Sequence, residues 1–279
     1  MKKWTFFLFL VLYSVIISSQ SLKLMTFNIR LNTESDGENA WPKRSDYLTS
    51  QILFYEPDII GIQEALPEQV NDLDLMLSGY KHFGAAREGY NKGEASSIFY
   101  NESRLALFDQ GTFWLSETPD TVSKGWDAAC HRVCSYGLFY DKIFKNFVWV
   151  FNTHLDHIGE IARSKGLELI IKRISGLNTN NYPVVLMGDF NSAPETDRIK
   201  RLKNIMFDCK ELSISKPFGP DATFNGFKFC EEPGDRIDYI FLSENSKYIV
   251  TKYAVLTDNL NLKYSSDHFP VYVELKYVE

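Results

Sequence analysis

Asp189 and Asn191 stand at the end of Val184-Val-Leu-Met-Gly-Asp-Phe-Asn-Ser192, where an unbroken apolar run gives way at once to a carboxylate and an amide. Such a run, bounded by Pro183 and Gly188, reads as a buried strand, and polar groups at a buried strand's exit stand where open α/β layers bind ligands. The arrangement recurs along the chain. Leu22 to Phe27 alternates as a strand and ends in Asn28; Asp58 to Gln63 ends in Glu64; Phe147 to Thr153 ends in His154 and Asp156. Asp238 lies inside the apolar strand Ile237 to Phe241, where a carboxylate needs a partner to be tolerated, and Ser265-Ser-Asp-His268 precedes a last strand from Val271 to Tyr277.

These residue types suit one chemistry. Glu64 and Asp267 are hard oxygen donors and Asn28 offers an amide oxygen, a set that fits Mg²⁺ or Mn²⁺ rather than a metal that prefers thiolates. His154 and His268 can hydrogen-bond or protonate phosphate oxygens, and Asp189 can orient or deprotonate an attacking water. Metal-assisted hydrolysis of a phosphate ester is the reaction class they describe. Taken singly, each has a plainer reading: a histidine satisfied by backbone, a turn-forming Asp or Asn. Their repetition at equivalent strand ends favours the joint reading.

The elements that must position these groups are mixed. Leu48, Ile52 and Tyr55 predict a helix ended by Pro57, Pro67 opens another through Val70, Leu73 and Leu77, and Leu167, Ile170, Ile171 and Ile174 mark a third closed by Gly176. The segments 96–100 and 105–107 read as a hairpin rather than a crossover unit. Helical crossovers interspersed with runs of strands predict an α/β (α+β) fold of two packed sheets with helices outside. With 279 residues, 44% of them hydrophobic, and no linker or repeat, the chain is expected to form one domain over residues 21–279.

Residues 1–20 are set apart as a secretory signal peptide. Lys2 and Lys3 precede the apolar run Trp4 to Ile17, Ser18 and Ser19 follow, and the run falls short of the roughly 20 residues a membrane span requires. A secreted or periplasmic enzyme with no integral membrane span in the mature chain is therefore expected. Its removal would shift the formal net charge from −6 to −8, because both lysines leave with it. An acidic total argues against broad capture of polyanions. Export permits disulfides among Cys130, Cys134, Cys209 and Cys230; proximity in sequence favours Cys130 with Cys134 and Cys209 with Cys230, and free thiols are the alternative.

The ordered set Thr26-Phe-Asn28, Gln63-Glu64, Asn152-Thr-His154, Gly188-Asp-Phe-Asn191, Arg236-Ile-Asp238 and Ser266-Asp-His268 closely resembles the endonuclease/exonuclease/phosphatase superfamily, over residues 22 to 277. That superfamily includes deoxyribonucleases, abasic-site endonucleases, deadenylases, neutral sphingomyelinases and inositol-polyphosphate phosphatases. The resemblance implies a four-layer sandwich of two mixed β-sheets flanked by helices. It places Asn28, Glu64 and Asp267 at the metal site and His154 on the scissile phosphate or leaving group. It assigns Asp189 to the water, Asn191 to holding phosphate, and His268 to the transition state, oriented by Asp238. The segments 36–41, 113–119 and 125–126 look most similar to secreted bacterial members of unassigned substrate.

Trp41, Trp114 and Trp126 are candidate cleft aromatics, and Arg30, Arg132 and Arg163 candidate phosphate clamps, Arg163 foremost; Asp156 and His157 extend the His154 motif. Three functions follow in order. The first is a monomeric, Mg²⁺-dependent phosphodiesterase acting on nucleic acid or a small phosphodiester. The second is a phosphomonoesterase on sugar, inositol or lipid headgroup phosphates. The third, a noncatalytic binding module, has no need for both Asp189 and His268.

Overall fold

A computed structural model of the protein describes residues 21–278. The expected signal peptide lies outside these residues. None of the described helices is long and apolar enough to cross a membrane.

The chain begins with a parallel crossover: β1 (Leu22–Asn28), α1 (Ser45–Tyr55) and β2 (Ile59–Gln63), with β1 and β2 paired in register from Leu24↔Ile59 to Asn28↔Gln63. The helix stops where Glu56 turns left-handed, ahead of Pro57. Next come α2 (Pro67–Met76), β3 (Tyr80–Phe83) and β4 (Ile98–Asn101), then β5 (Leu105–Trp114) and β6 (Val133–Asp141). A second parallel crossover follows, β7 (Asn146–His154), α3 (Glu160–Leu177) and β8 (Val184–Asp189), with His154 beside Asp189 in the register. The remainder is α4 (Asp197–Lys203), β9 (Met206–Asp208), α5 (Cys209–Leu212), β10 (Asp238–Ser243), β11 (Tyr248–Val255) and β12 (Val271–Tyr277).

The strands form two six-stranded mixed sheets, ordered β11-β12-β1-β2-β4-β3 and β5-β6-β7-β8-β10-β9. Their side chains divide among three cores, which makes the layers explicit. Leu22, Leu24, Val150, Met187 and Val273 fill the space between the sheets. Met25, Phe27 and Ile60 turn the other way against Leu48, Ile52 and Leu73 of α1 and α2. Phe151, Leu186 and Phe241 meet Leu167 and Ile170 of α3 and Ile199 of α4. The central strands are thus covered on both faces, which is why they read as continuous apolar runs rather than alternating ones. The expected four-layer sandwich is the observed fold.

Two expectations are corrected. The segments read as a hairpin belong to different sheets: β4 pairs with β2 and β3, while β5 pairs with β6. The turn at residues 102–104 carries the chain from one sheet to the other, and Arg104 ties that crossing to Asp58 and Asp141 at 2.8 Å each. The four cysteines are free thiols. Cys209 is buried in the inter-sheet core and Cys134 in the core beneath α3, whereas Cys230 is exposed and Cys130 sits half-buried with its Sγ 3.7 Å from Asp156. Nearness in sequence does not bring the thiols together, because each is aimed into different surroundings.

Candidate active site

The carboxyl ends of both parallel pairs open at the same end of the sandwich, so Asn28 and Glu64 from one sheet face His154 and Asp189 from the other. A buried amide pair fixes the two sheets there. Gln63 Nε2 donates to Asn152 Oδ1 at 2.7 Å, and Asn152 Nδ2 donates to the carbonyls of Ile62 and Ser97 at 2.9 and 2.8 Å. Gly61 makes room for this bridge, since a Cβ there would stand 2.7 Å from Asn152 Oδ1. Gly188 is required for another reason: its φ is +143° and a Cβ would strike the Thr153 carbonyl. That turn of backbone delivers Asp189 into the cleft.

Asp189 is the hub. Its Oδ2 accepts from Asn28 Nδ2 at 3.0 Å and lies 3.4 Å from His154 Nε2 and 3.9 Å from His268 Nε2; its Oδ1 accepts from the Asn191 backbone N–H at 2.8 Å. Burial and the neighbouring Asp238 carboxylate raise its proton affinity well above the ordinary carboxylate range. His268 is clamped by Asp238, Nδ1 to Oδ2 at 2.9 Å. Burial opposes its charge, but the carboxylates of Asp238, Asp189 and Asp267 outweigh that and lift its pKa to about 10. Asp238 is in turn held through its amide by Thr223 Oγ1, which also accepts from Ile237. Phe224 lies edge-on to the His268 ring at 5.1 Å.

His154 is the opposite case: burial, reinforced by Arg132 and His268, pushes its pKa well down, so it is neutral. Asn191 Nδ2 donates to the Leu155 carbonyl at 2.9 Å and meets His154 Nε2 at 3.0 Å. The carbonyl requires a donor, so Asn191 turns its Nδ2 to this side, and His154 Nε2 lies between it and Asp189 Oδ2 at 3.4 Å. Asn191 lines the cleft, where its side-chain amide bridges the Leu155 carbonyl and His154. Arg30, Glu64 and Asn191 all have left-handed backbone, with φ of 56°, 62° and 44°, which places three non-glycine outliers at one site.

Glu64 and Asp267 converge on the Arg30 guanidinium, at 3.9 and 3.8 Å, while Arg30 holds Asp36 at 3.0 Å. Asp267 is buried, and that burial with the nearby Glu64 charge raises its proton affinity. Two hard-oxygen carboxylates thus share one positive neighbour, a donor set that fits a divalent cation. Asn28 links this pair to the hub: its Nδ2 also donates to Glu64 at 3.0 Å and its Oδ1 accepts from the Arg30 amide.

The cleft has a volume of about 430 Å³ and is lined by Arg30, Glu64, His154, Asp189, Asn191, Asp267 and His268. Several other expected residues are elsewhere. Arg163 is buried against the Asp156 carbonyl at 2.9 Å and pairs with Glu160, so it braces the start of α3 and does not line the cleft. Trp41 donates to Asp72 beneath α2 and Trp114 to the Arg87 carbonyl, and neither Trp41, Trp114 nor Trp126 lines the cleft. Arg132 and His157 do line the cleft, with Arg132 Nη2 3.0 Å from His157 Nδ1, while the buried Asp156 accepts from the backbone amides of Ala129, Ile158 and Gly159 and from Arg132 Nε. Arg87, Glu94 and Phe224 line the cleft and were missed, since they sit in loops without periodicity.

The profile of the Endonuclease/Exonuclease/phosphatase family matches residues 25–268. The chain belongs to that family. An endonuclease/exonuclease/phosphatase family protein of Bacteroides thetaiotaomicron is 34% identical with a TM-score of 0.89, over 93% of this chain and 99% of that one. A mannosyl-6-phosphatase of Bacteroides thetaiotaomicron VPI-5482 is 35% identical with a TM-score of 0.86, over 91% and 99%. An uncharacterized protein of Acanthamoeba polyphaga mimivirus is 27% identical over 90% of this chain and 99% of its own length. Members of this endonuclease/exonuclease/phosphatase family are phosphoester hydrolases.

Proposed function

We propose that the protein is a divalent-metal-dependent phosphomonoesterase acting on a sugar phosphate. The observation that carries the hydrolytic part is the Asp189 carboxylate, flanked at 3.4 and 3.9 Å by a neutral His154 and a charged His268. A buried carboxylate of raised proton affinity accepts a proton from water as that water attacks phosphorus. His268, kept charged by Asp238, faces the negative charge that builds on the phosphoryl oxygens, and His154 contacts phosphate or leaving group from the other sheet. Glu64 and Asp267, with Asn28 beside them, would hold Mg²⁺ or Mn²⁺, and the bound ion would supply Lewis-acid polarisation of a phosphoryl oxygen.

The choice of substrate rests on other grounds. The mannosyl-6-phosphatase relative spans nearly the whole of both chains, and the cleft volume suits a small ligand better than a polymer. The formal charge of −6 further disfavours nucleic acid. The diester reading, first on sequence alone, accordingly becomes the second. Export by residues 1–20 remains part of the proposal on sequence alone.

Phosphate release from hexose 6-phosphates, compared with hydrolysis of bis(p-nitrophenyl) phosphate, in Mg²⁺, Mn²⁺ or chelator, tests this reading. Efficient turnover of the monoesters, abolished by chelator, is expected. Turnover of the diester with none of the monoester would overturn it.

A further inference from the structure

One pair of charges in the cleft has no part in the hydrolytic machinery. Arg87 and Glu94 face each other across the base of a small loop, Nη1 to Oε2 and Nη2 to Oε1 both at 2.8 Å. The loop is built for this purpose. Arg87 N donates to the Glu94 carbonyl at 2.9 Å, Glu88 N to Lys92 at 3.0 Å, and Gly89 and Gly93 supply left-handed turns between them. Isolated bridges join Ala86 to Ala95 and Ala95 to Ala65, next to Glu64, so the pair is tied to the strand end that carries a proposed metal ligand. Trp114 fixes the Arg87 carbonyl from the other sheet, at 2.6 Å.

The side chains are only 15% and 14% exposed, and Arg87 Nε is buried without a partner. Burying a salt bridge costs about as much in desolvation as its attraction returns, so the pair is poorly explained as a stabilising device. Both residues line the cleft, and the pair keeps hydrogen-bonding capacity. In a two-point guanidinium–carboxylate pair each terminal nitrogen keeps a second hydrogen and each oxygen a further lone pair. A hydroxyl that donates to the carboxylate and accepts from the guanidinium satisfies both, and two adjacent hydroxyls do so in the spacing of a vicinal diol.

Resting on the sugar-phosphate reading above, we propose that Arg87 and Glu94 are the specificity determinant of this enzyme, binding ring hydroxyls of a hexose phosphate while His154, Asp189 and His268 engage its phosphate. An aryl phosphate has no hydroxyls to offer.

The test compares mannose 6-phosphate with p-nitrophenyl phosphate for the wild type, Glu94→Gln and the neutral double variant Arg87→Gln/Glu94→Gln, which leaves no buried charge uncompensated if the single variant folds poorly. The ratio of kcat/KM for the sugar over the aryl substrate is expected to fall by about tenfold to a hundredfold, mainly through KM, as for loss of hydrogen bonds to charged groups. An unchanged ratio, with both substrates falling together, would overturn the proposal and place the pair on the phosphate instead. Should the wild type hydrolyse aryl or diester substrates but no hexose phosphate, the sugar-phosphate reading itself fails and this inference with it.

Discussion

Asp189 and Asp238 are register partners on adjacent antiparallel strands, two buried carboxylates directly opposite each other, with His268 in contact with both at 3.9 and 2.9 Å. Like charges in that relation are destabilising. The protonated imidazole between them removes the conflict, and the same arrangement supplies the positive charge the reaction uses. Asp238→Asn is expected to lower kcat by about two to four orders of magnitude, because His268 loses the partner that keeps it charged. Steady-state kinetics on a folded variant checks this; a loss within severalfold would show that His268 needs no such support.

The bridge between the sheets gives a second expectation. Asn152→Leu removes the side-chain donor to the carbonyls of Ile62 and Ser97 and one acceptor of Gln63 Nε2, which keeps Thr26 and Gly61, while the Ser97 carbonyl keeps the Ile62 amide; the cost is about 1–3 kcal/mol. Denaturant unfolding should show a loss of that order. Activity should fall as well, since the bridge sets the distance between Glu64 and His154; full activity in a destabilised variant would contradict that role.

Much of this site was legible because its residues sit at the ends of continuous apolar strands, a pattern that polar surface scatter does not produce. Asn28, Glu64, His154 and Asp189 are of this kind, whereas Asp238 opens its strand and His268 stands just ahead of one. Partner choice was not legible. Whether Asn191 holds phosphate or His154, and whether Arg163 reaches the cleft or braces α3, depends on the orientation of a side chain after a turn, which spacing does not encode. The hairpin expected between residues 96 and 107 failed for a related reason: a short turn connects strands of one sheet or crosses between two, and long-range pairing decides which. Arg87 and Glu94 escaped notice because their register is set by a glycine-bearing loop.

Stability should depend on pH through Asp156. Burial opposes its charge, but backbone donors at Gly159, Ala129 and Ile158, aided by Arg132, hold its carboxyl far below the usual range. A depressed folded-state value contributes stability that is present above the unfolded carboxylate value of about 3.9 and lost as pH falls below it. Wild type is expected to lose stability more steeply than Asp156→Asn as pH falls from about 5 toward 3. Parallel stability curves for the two proteins would refute this.

Free thiols make a simple prediction. Under native conditions a thiol reagent should label Cys230 fastest and Cys130 more slowly, with Cys134 and Cys209 reacting only on unfolding, since burial raises the thiol pKa at both. Reductant should leave the melting temperature unchanged. A drop in melting temperature on reduction would reveal a disulfide.

The most direct measurement is phosphate release from mannose 6-phosphate with Mg²⁺ by the wild type and by Asp189→Asn. The expected result is turnover that chelator abolishes and that the substitution lowers by about 100-fold or more, with the variant still folded. Comparable rates for the two proteins, or undiminished turnover in chelator, would contradict a site in which Asp189 activates water beside a divalent ion held by Glu64 and Asp267.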